Sequence, residues 1–116
     1  MTTVWHNPRC SKSRTALCAL TDSGRDVVVR RYLDDPPTAA ELSDILDRLG
    51  LEPWDITRLG EPRAKELGLA DRPRDRAEWI AVLAANPVLI QRPIVLTEDG
   101  RAVLARDEES VRSLLE

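Results

Sequence analysis

Thr3-Val4-Trp5-His6-Asn7-Pro8-Arg9-Cys10-Ser11-Lys12-Ser13-Arg14 is the stretch on which the rest of the chain turns. Its apolar, partly β-branched start reads as a short strand, Thr2 to His6. Asn7-Pro8 signals a turn. Ser11 to Leu20 is rich in helix formers and contains no Pro or Gly. Cys10 therefore falls at or beside a helix N-terminus, where unpaired backbone N–H groups and the positive end of the macrodipole favour an anion. A thiolate is such an anion. Arg9, Lys12, Arg14 and His6 add positive charge or hydrogen-bond donors nearby. These conditions lower a thiol pKa and make the sulfur nucleophilic. The bland fate of a lone cysteine is inert burial, and the polar flanks Arg9 and Ser11 argue against it.

Working outward, the first helix is expected to run to about Ser23 and to stop at Gly24, a good residue for the turn after a helix. Leu17 and Leu20 mark its inner face, and Cys18, set among apolar residues, reads as core. Val27 to Tyr32 is β-branched and reads as a second strand, which gives a right-handed parallel βαβ unit. After the break at Asp34-Asp35-Pro36-Pro37, Thr38 and Glu41 form a capping box for a helix whose buried face is Leu42, Ile45, Leu46 and Leu49, closed by Gly50. Pro53 and Pro62 each suit a first helical turn, so two short helices are expected around Thr57-Arg58-Leu59-Gly60. Asp75 caps a further helix with Trp79, Ile80 and Leu83 inside. Val88 to Leu96 is apolar apart from the polar pair Gln91-Arg92. Glu98-Asp99-Gly100 turns a hairpin into a returning strand from Arg101 to Leu104. Asp107 caps a last helix carrying Val111, Leu114 and Leu115. The fold class is α/β: a mixed sheet of about four strands flanked by helices, in one domain over residues 1–116, with a helical insertion over about residues 38–86.

The chain has 116 residues and a formal net charge of -3. That length carries one core without metal or disulfide staples. The acidic balance argues against non-specific nucleic-acid binding. No apolar run has membrane-spanning length and no signal peptide is visible. Cys10 and Cys18 are too few for a disulfide framework. On one helix they stand roughly 12 Å apart at 1.5 Å per residue, beyond the roughly 7 Å that a disulfide tolerates. A reduced, cytoplasmic setting is expected, and a monomer.

Ser13 stands where a Cys-x-x-Cys motif would carry its second cysteine, so an external thiol must resolve any adduct on Cys10. Ser13 is a candidate donor to the thiolate or an ordinary residue of a first turn. His6, the single histidine, is a thiolate stabiliser, a proton carrier or a hydrogen-bonded structural residue. The spacing from Cys10 to Arg14 is too short for the phosphate loop of tyrosine phosphatases. Arg92-Pro93 interrupts an apolar run; Pro cannot donate to a sheet ladder, and an X-Pro bond admits the cis form. Arg58 lies in a small polar turn and Arg106 ends the hairpin. Each alone reads as a solvated surface arginine. Together, and with Arg14, they are candidates for the planar donors that hold a tetrahedral oxyanion.

His6-Asn7-Pro8-Arg9-Cys10-Ser11-Lys12-Ser13-Arg14, Tyr32-Leu33 before Pro36-Pro37-Thr38, Glu66-Leu67-Gly68-Leu69 and Gln91-Arg92-Pro93-Ile94-Val95 occur in that order. In these blocks the chain resembles the glutathione/glutaredoxin-linked arsenate reductase family, ArsC-like and Spx-related. The resemblance covers nearly the whole length. It implies a thioredoxin-like fold with a helical insertion, Cys10 as nucleophile, Arg92 as an oxyanion ligand and Pro93 as a cis-proline. Arg58 and Arg106 match the remaining arginines, with the spacing at Arg58 one residue shorter and Asp107 where a proline is common. The implied activity is reduction of arsenate to arsenite, with no bound cofactor. A low-molecular-weight thiol such as glutathione is co-substrate, and a glutaredoxin-type redoxin is partner. Two alternatives stand beside it: a non-enzymatic, Spx-like regulator that binds RNA polymerase, which Ser13 disfavours as a redox switch, and a thiol oxidoreductase acting on another substrate.

Overall fold

The computed structural model describes residues 2–105 and 108–114. The chain falls into two compact units, Met1–Asp35 with Arg92–Glu116, and Pro36–Gln91.

The first unit is built on a four-stranded mixed sheet in the order β2-β1-β3-β4. Strand β1 (Thr2–Trp5) leads through the Asn7-Pro8 turn into α1 (Ser11–Asp22) and on to β2 (Val27–Arg30), which pairs with β1 in parallel. Gly24, at φ 81°, turns the chain out of α1 in a conformation that L side chains rarely adopt. Strand β3 (Ile94–Leu96) pairs antiparallel with β1, and β4 (Ala102–Leu104) returns antiparallel along β3. Val4 and Val95 from the sheet, Ala16 and Leu20 from α1 and Leu114 from the last helix form one buried cluster with Ala105. The βαβ unit and the hairpin expected from the sequence are both present.

The details differ where tertiary packing decides. The inner face of α1 is Ser13, Ala16 and Leu20. Leu17 lies at its margin, half-buried. Cys18, read as core, is exposed: it sits two residues from each of Ala16 and Leu20, about 200° around the helix. Strand β2 stops at Arg30 rather than Tyr32, because Arg31 opens a turn whose carbonyl accepts from the N–H groups of Asp34 and Asp35 at 3.0 and 2.9 Å.

The second unit carries α2 (Ala39–Leu49), α3 (Pro62–Glu66) and α4 (Arg76–Ala85). Single 3-10 turns cover Pro53–Ile56, Leu69–Asp71 and Pro87–Leu89. Thr38 Oγ1 accepts from the Glu41 N–H, and Glu41 Oε1 accepts from the Thr38 N–H, each at 3.1 Å. Gly50 ends α2 at φ 68°. Leu42, Ile45 and Leu46 of α2 and Trp79, Ile80 and Leu83 of α4 are buried. In the first unit, α5 (Glu108–Leu114) closes the described chain; the expected cap Asp107 lies outside the described residues.

Candidate active site

Cys10 occupies the N-cap of α1 with extended backbone, φ -96° and ψ 121°, and no acidic residue stands in the first turn. The loop that presents it is tied down from several sides. The Cys10 N–H donates to the Asn7 carbonyl at 3.0 Å, the Arg9 N–H donates to Asn7 Oδ1 at 3.0 Å, and Arg14 Nη1 donates to the Pro8 carbonyl at 3.0 Å. The Asn7 N–H donates to Ser13 Oγ at 3.1 Å, and His6 Nδ1 lies 2.7 Å from the same oxygen. Asn7 thus organises the turn through both its peptide and its side chain, the Asx geometry that Asn-Pro sequences favour.

Arg92 reaches this loop through sheet register. Trp5 stands opposite Ile94 across the antiparallel β1–β3 pair, so the residues just before β3 run alongside the exit of β1. The Arg92-Pro93 peptide is cis. Burial works to raise the Cys10 thiol pKa. The Ser13 N–H, the positive charge of Arg92, a hydrogen bond from its guanidinium and the Lys12 N–H outweigh that burial and lower the pKa below its ordinary value of 9.0. These N–H groups do not close a side-chain cap of regular geometry on the sulfur; they face it as part of an open helix end. Arg92 Nε is buried and, among the described residues, has no hydrogen-bond partner. A buried N–H without an acceptor costs roughly 1–3 kcal/mol.

His6 is buried, and its pKa is lowered first by that burial, then by the charges of Arg31 and Arg14. Both effects favour the neutral imidazole. Ser13 Oγ accepts from the Asn7 N–H and shares a further hydrogen bond with His6 Nδ1, whose direction follows the His6 tautomer. Ser13 faces the sulfur through its backbone N–H, and its hydroxyl oxygen is engaged with His6 and the Asn7 N–H. The Arg14 guanidinium braces the loop at Pro8. The sequence points to first-turn backbone N–H groups and to a turn at Asn7-Pro8; the structure names Ser13 and Lys12 as the peptides that face the sulfur and the Asn7 side chain as the acceptor that ties the turn to the Arg9 N–H.

Of the arginines, Arg14 and Arg92 belong to the unit that carries Cys10. Arg58 lies in the second unit, where it pairs with Glu61 and its N–H donates to the Leu89 carbonyl at 2.7 Å. Arg106 lies outside the described residues. Among the described residues there is no group of three or more His, Cys, Asp or Glu side chains able to hold a metal ion. Nor is any described helix long and apolar enough to cross a membrane.

A model of the ArsC family matches residues 5–114. The chain is 41% identical over 113 residues to an arsenate reductase of Neisseria meningitidis serogroup A, covering 97% of this chain and 96% of the relative. It is 53% identical over 115 residues, 97% of each chain, to a protein of Streptomyces viridochromogenes known as an uncharacterized protein in the glnII region. An arsenate reductase structure from Vibrio cholerae superposes with a TM-score of 0.86 at 36% identity, covering 98% of this chain and 94% of that one. The thioredoxin-like fold implied by the resemblance is the fold observed.

Proposed function

The chain belongs to the ArsC family, and on that premise we propose that it is a thiol-dependent reductase of arsenate to arsenite. The observation that carries the reading is the pairing of a thiol of lowered pKa with Arg92, whose buried Nε lacks an acceptor. Nucleophile and oxyanion donor stand together, which is the requirement for attack on a tetrahedral oxyanion.

In the proposed cycle the Cys10 thiolate attacks arsenic, an As–S bond forms, and one oxygen leaves as water after protonation. Arg92 holds the remaining oxygens and the charge that develops on them. A low-molecular-weight thiol, glutathione or an equivalent, then attacks the Cys10 sulfur. An S–S bond forms, the S–As bond breaks, and its electron pair stays on arsenic. Arsenic passes from the pentavalent to the trivalent state while two thiols are oxidised. A glutaredoxin-type redoxin reduces the resulting mixed disulfide and returns Cys10. Ser13 in place of a second cysteine supports an external resolving thiol. No bound cofactor enters the cycle, and a reducing cytoplasm suits it. For Arg58 and Arg106 the assignment as oxyanion ligands rests on the residue match alone.

The test is arsenite release by the purified chain with arsenate, glutathione and glutaredoxin, omitting each component in turn. Turnover that needs arsenate and thiol and disappears in Cys10→Ser supports the reading. Equal turnover in Cys10→Ser rejects it.

A further inference from the structure

Strand β2 ends one side of the sheet, with β1 as its neighbour and no strand beyond it among the described residues. The bonds to β1 fix which of its peptides face outward. The Thr2 N–H donates to the Asp26 carbonyl and the His6 N–H to the Arg30 carbonyl, with Thr2 opposite Val27 and Val4 opposite Val29. In a parallel ladder this pattern commits the peptide groups of the even-numbered residues to β1. The N–H and C=O groups of Val27 and Val29 therefore point away from the sheet. Val28 and Val29 are 41% and 45% exposed, unusual for adjacent β-branched residues. A groove of about 560 Å³ lies beside this edge, between Thr3 of β1, the Val28–Arg31 segment and the Asp34-Asp35 turn.

The edge sequence Asp26-Val27-Val28-Val29-Arg30 is complementary to itself when reversed. We propose that a second copy of this chain adds its β2 to this edge antiparallel, with Val28 opposite Val28 on a two-fold axis. This register places Val27 opposite Val29 of the other copy on both sides of the axis. Both are outward-facing residues, so each of these pairs exchanges two N–H···O=C bonds. The residues between them, Val28 and the Asp26–Arg30 pairs, fall at the positions where opposing side chains approach most closely. A shift by one residue would set outward peptides against inward ones and lose the bonds. A shift by two would lose the Asp26–Arg30 match.

The Arg30 guanidinium stacks over Trp5 at 5.4 Å, and its Nε donates to the Asp35 carbonyl at 3.2 Å and lies 3.4 Å from Asp35 Oδ2, so a pair with Asp26 of a second copy has to share or exchange the Asp35 contact. Asp26 is exposed. The register also brings Arg25 toward Arg31, but both lie outside β2. Arg25 is turned away onto the Leu114 carbonyl, and Arg31 begins a turn. A strand this short buries far less than the roughly 1,000 Å² of a stable interface, so the dimer is weak. The monomer expected from the sequence is the dilute limit of the same equilibrium.

Sedimentation velocity of the full chain under reducing conditions, from about 10 μM to about 1 mM, brackets such a weak equilibrium. The sedimentation coefficient is expected to rise with concentration. Val28→Lys sets two ammonium groups face to face across the axis at an exposed position. It is expected to weaken association about tenfold or more, with arsenite release from dilute enzyme and circular dichroism unchanged. Val28→Cys in a Cys10→Ser/Cys18→Ser chain is expected to give a disulfide-linked dimer on mild oxidation, because Val28 opposes itself. A wild-type chain that stays monomeric throughout, a Val28→Lys chain that associates as well as wild type, or an edge that takes up only an added redoxin overturns the proposal.

Discussion

Helix α1 carries both cysteines of the chain, and they stand in opposite circumstances. Cys10 is half-buried at the N-cap, and Cys18 is exposed in the helix body. Around Cys10 the first-turn N–H groups have no intrahelical acceptor, and two of them, from Ser13 and Lys12, face the sulfur together with Arg92. Around Cys18 the helix N–H groups are committed to carbonyls four residues back. The more accessible thiol is thus the one with less help from the backbone. Access and activation are separate properties, and in this helix they have been assigned to different residues.

The largest expected effect tests that separation directly. Cys10→Ser is expected to abolish arsenite release, a loss of about 10³-fold or more, while Cys18→Ser retains it within about twofold. A Cys18→Ser chain that loses turnover would break the comparison. Next comes Arg92→Lys, which keeps a charge but removes the planar fork and the buried Nε. It is expected to lower kcat/KM for arsenate by about 10²-fold, the scale of losing one oxyanion donor. Arg92→Gln should also raise the Cys10 pKa, because both the charge and the hydrogen bond of Arg92 lower it. The measurement is iodoacetamide alkylation against pH, with the adduct located by mass spectrometry. The Cys10 profile should move to higher pH in the variant, and an unmoved profile would remove Arg92 from the site.

Ser13→Ala is expected to act more on stability than on turnover. Ser13 is fully buried, and its hydroxyl serves both His6 Nδ1 and the Asn7 N–H. The buried His6 ring and the part-buried Asn7 N–H lose their partner, a cost of about 2 kcal/mol in chemical denaturation. The Ser13 N–H remains, so the Cys10 alkylation profile should shift little. A large shift would mean that the hydroxyl, not the peptide, serves the sulfur.

The order of elements was legible because local signals agree with the fold: Asn7-Pro8 before a helix, the Thr38–Glu41 box, Gly24 and Gly50 at helix ends, and a β-branched second strand. What stayed hidden was set by contacts distant in sequence. Which face of α1 turns inward is settled by tertiary packing: Ser13, Ala16 and Leu20 are buried, while Leu17 is only half-buried. Hydrophobicity alone favours Leu17 and draws Cys18 inward with it. Arg92 was visible as a charge inside an apolar run. Its arrival at Cys10 depends on the antiparallel β1–β3 register, which joins segments more than eighty residues apart. The Ser13 hydroxyl meets His6 Nδ1 and the Asn7 N–H, seven and six residues back along the chain, and no local pattern states that.

The smallest expected effect concerns what the open end of α1 costs. Helix α2 begins with a complete capping box, whereas α1 begins with a cysteine that makes no regular cap bond. Serine is a good N-cap, and its oxygen at position 10 could accept from the Ser13 N–H, so Cys10→Ser should stabilise the fold while ending the chemistry, by up to about 1 kcal/mol. The gain should depend on pH. The Cys10 pKa is lower in the folded chain than in the unfolded one, so the stability that the wild-type thiolate supplies is full above the unfolded pKa and is lost as pH falls through the folded value. Serine carries no such dependence. Urea unfolding should therefore show the variant ahead of wild type most clearly at pH values below the folded Cys10 pKa, with the difference narrowing toward alkaline pH. A difference that does not change with pH would mean that the helix end and Arg92 do not hold the sulfur as an anion, and the contrast between the two cysteines would reduce to one of exposure.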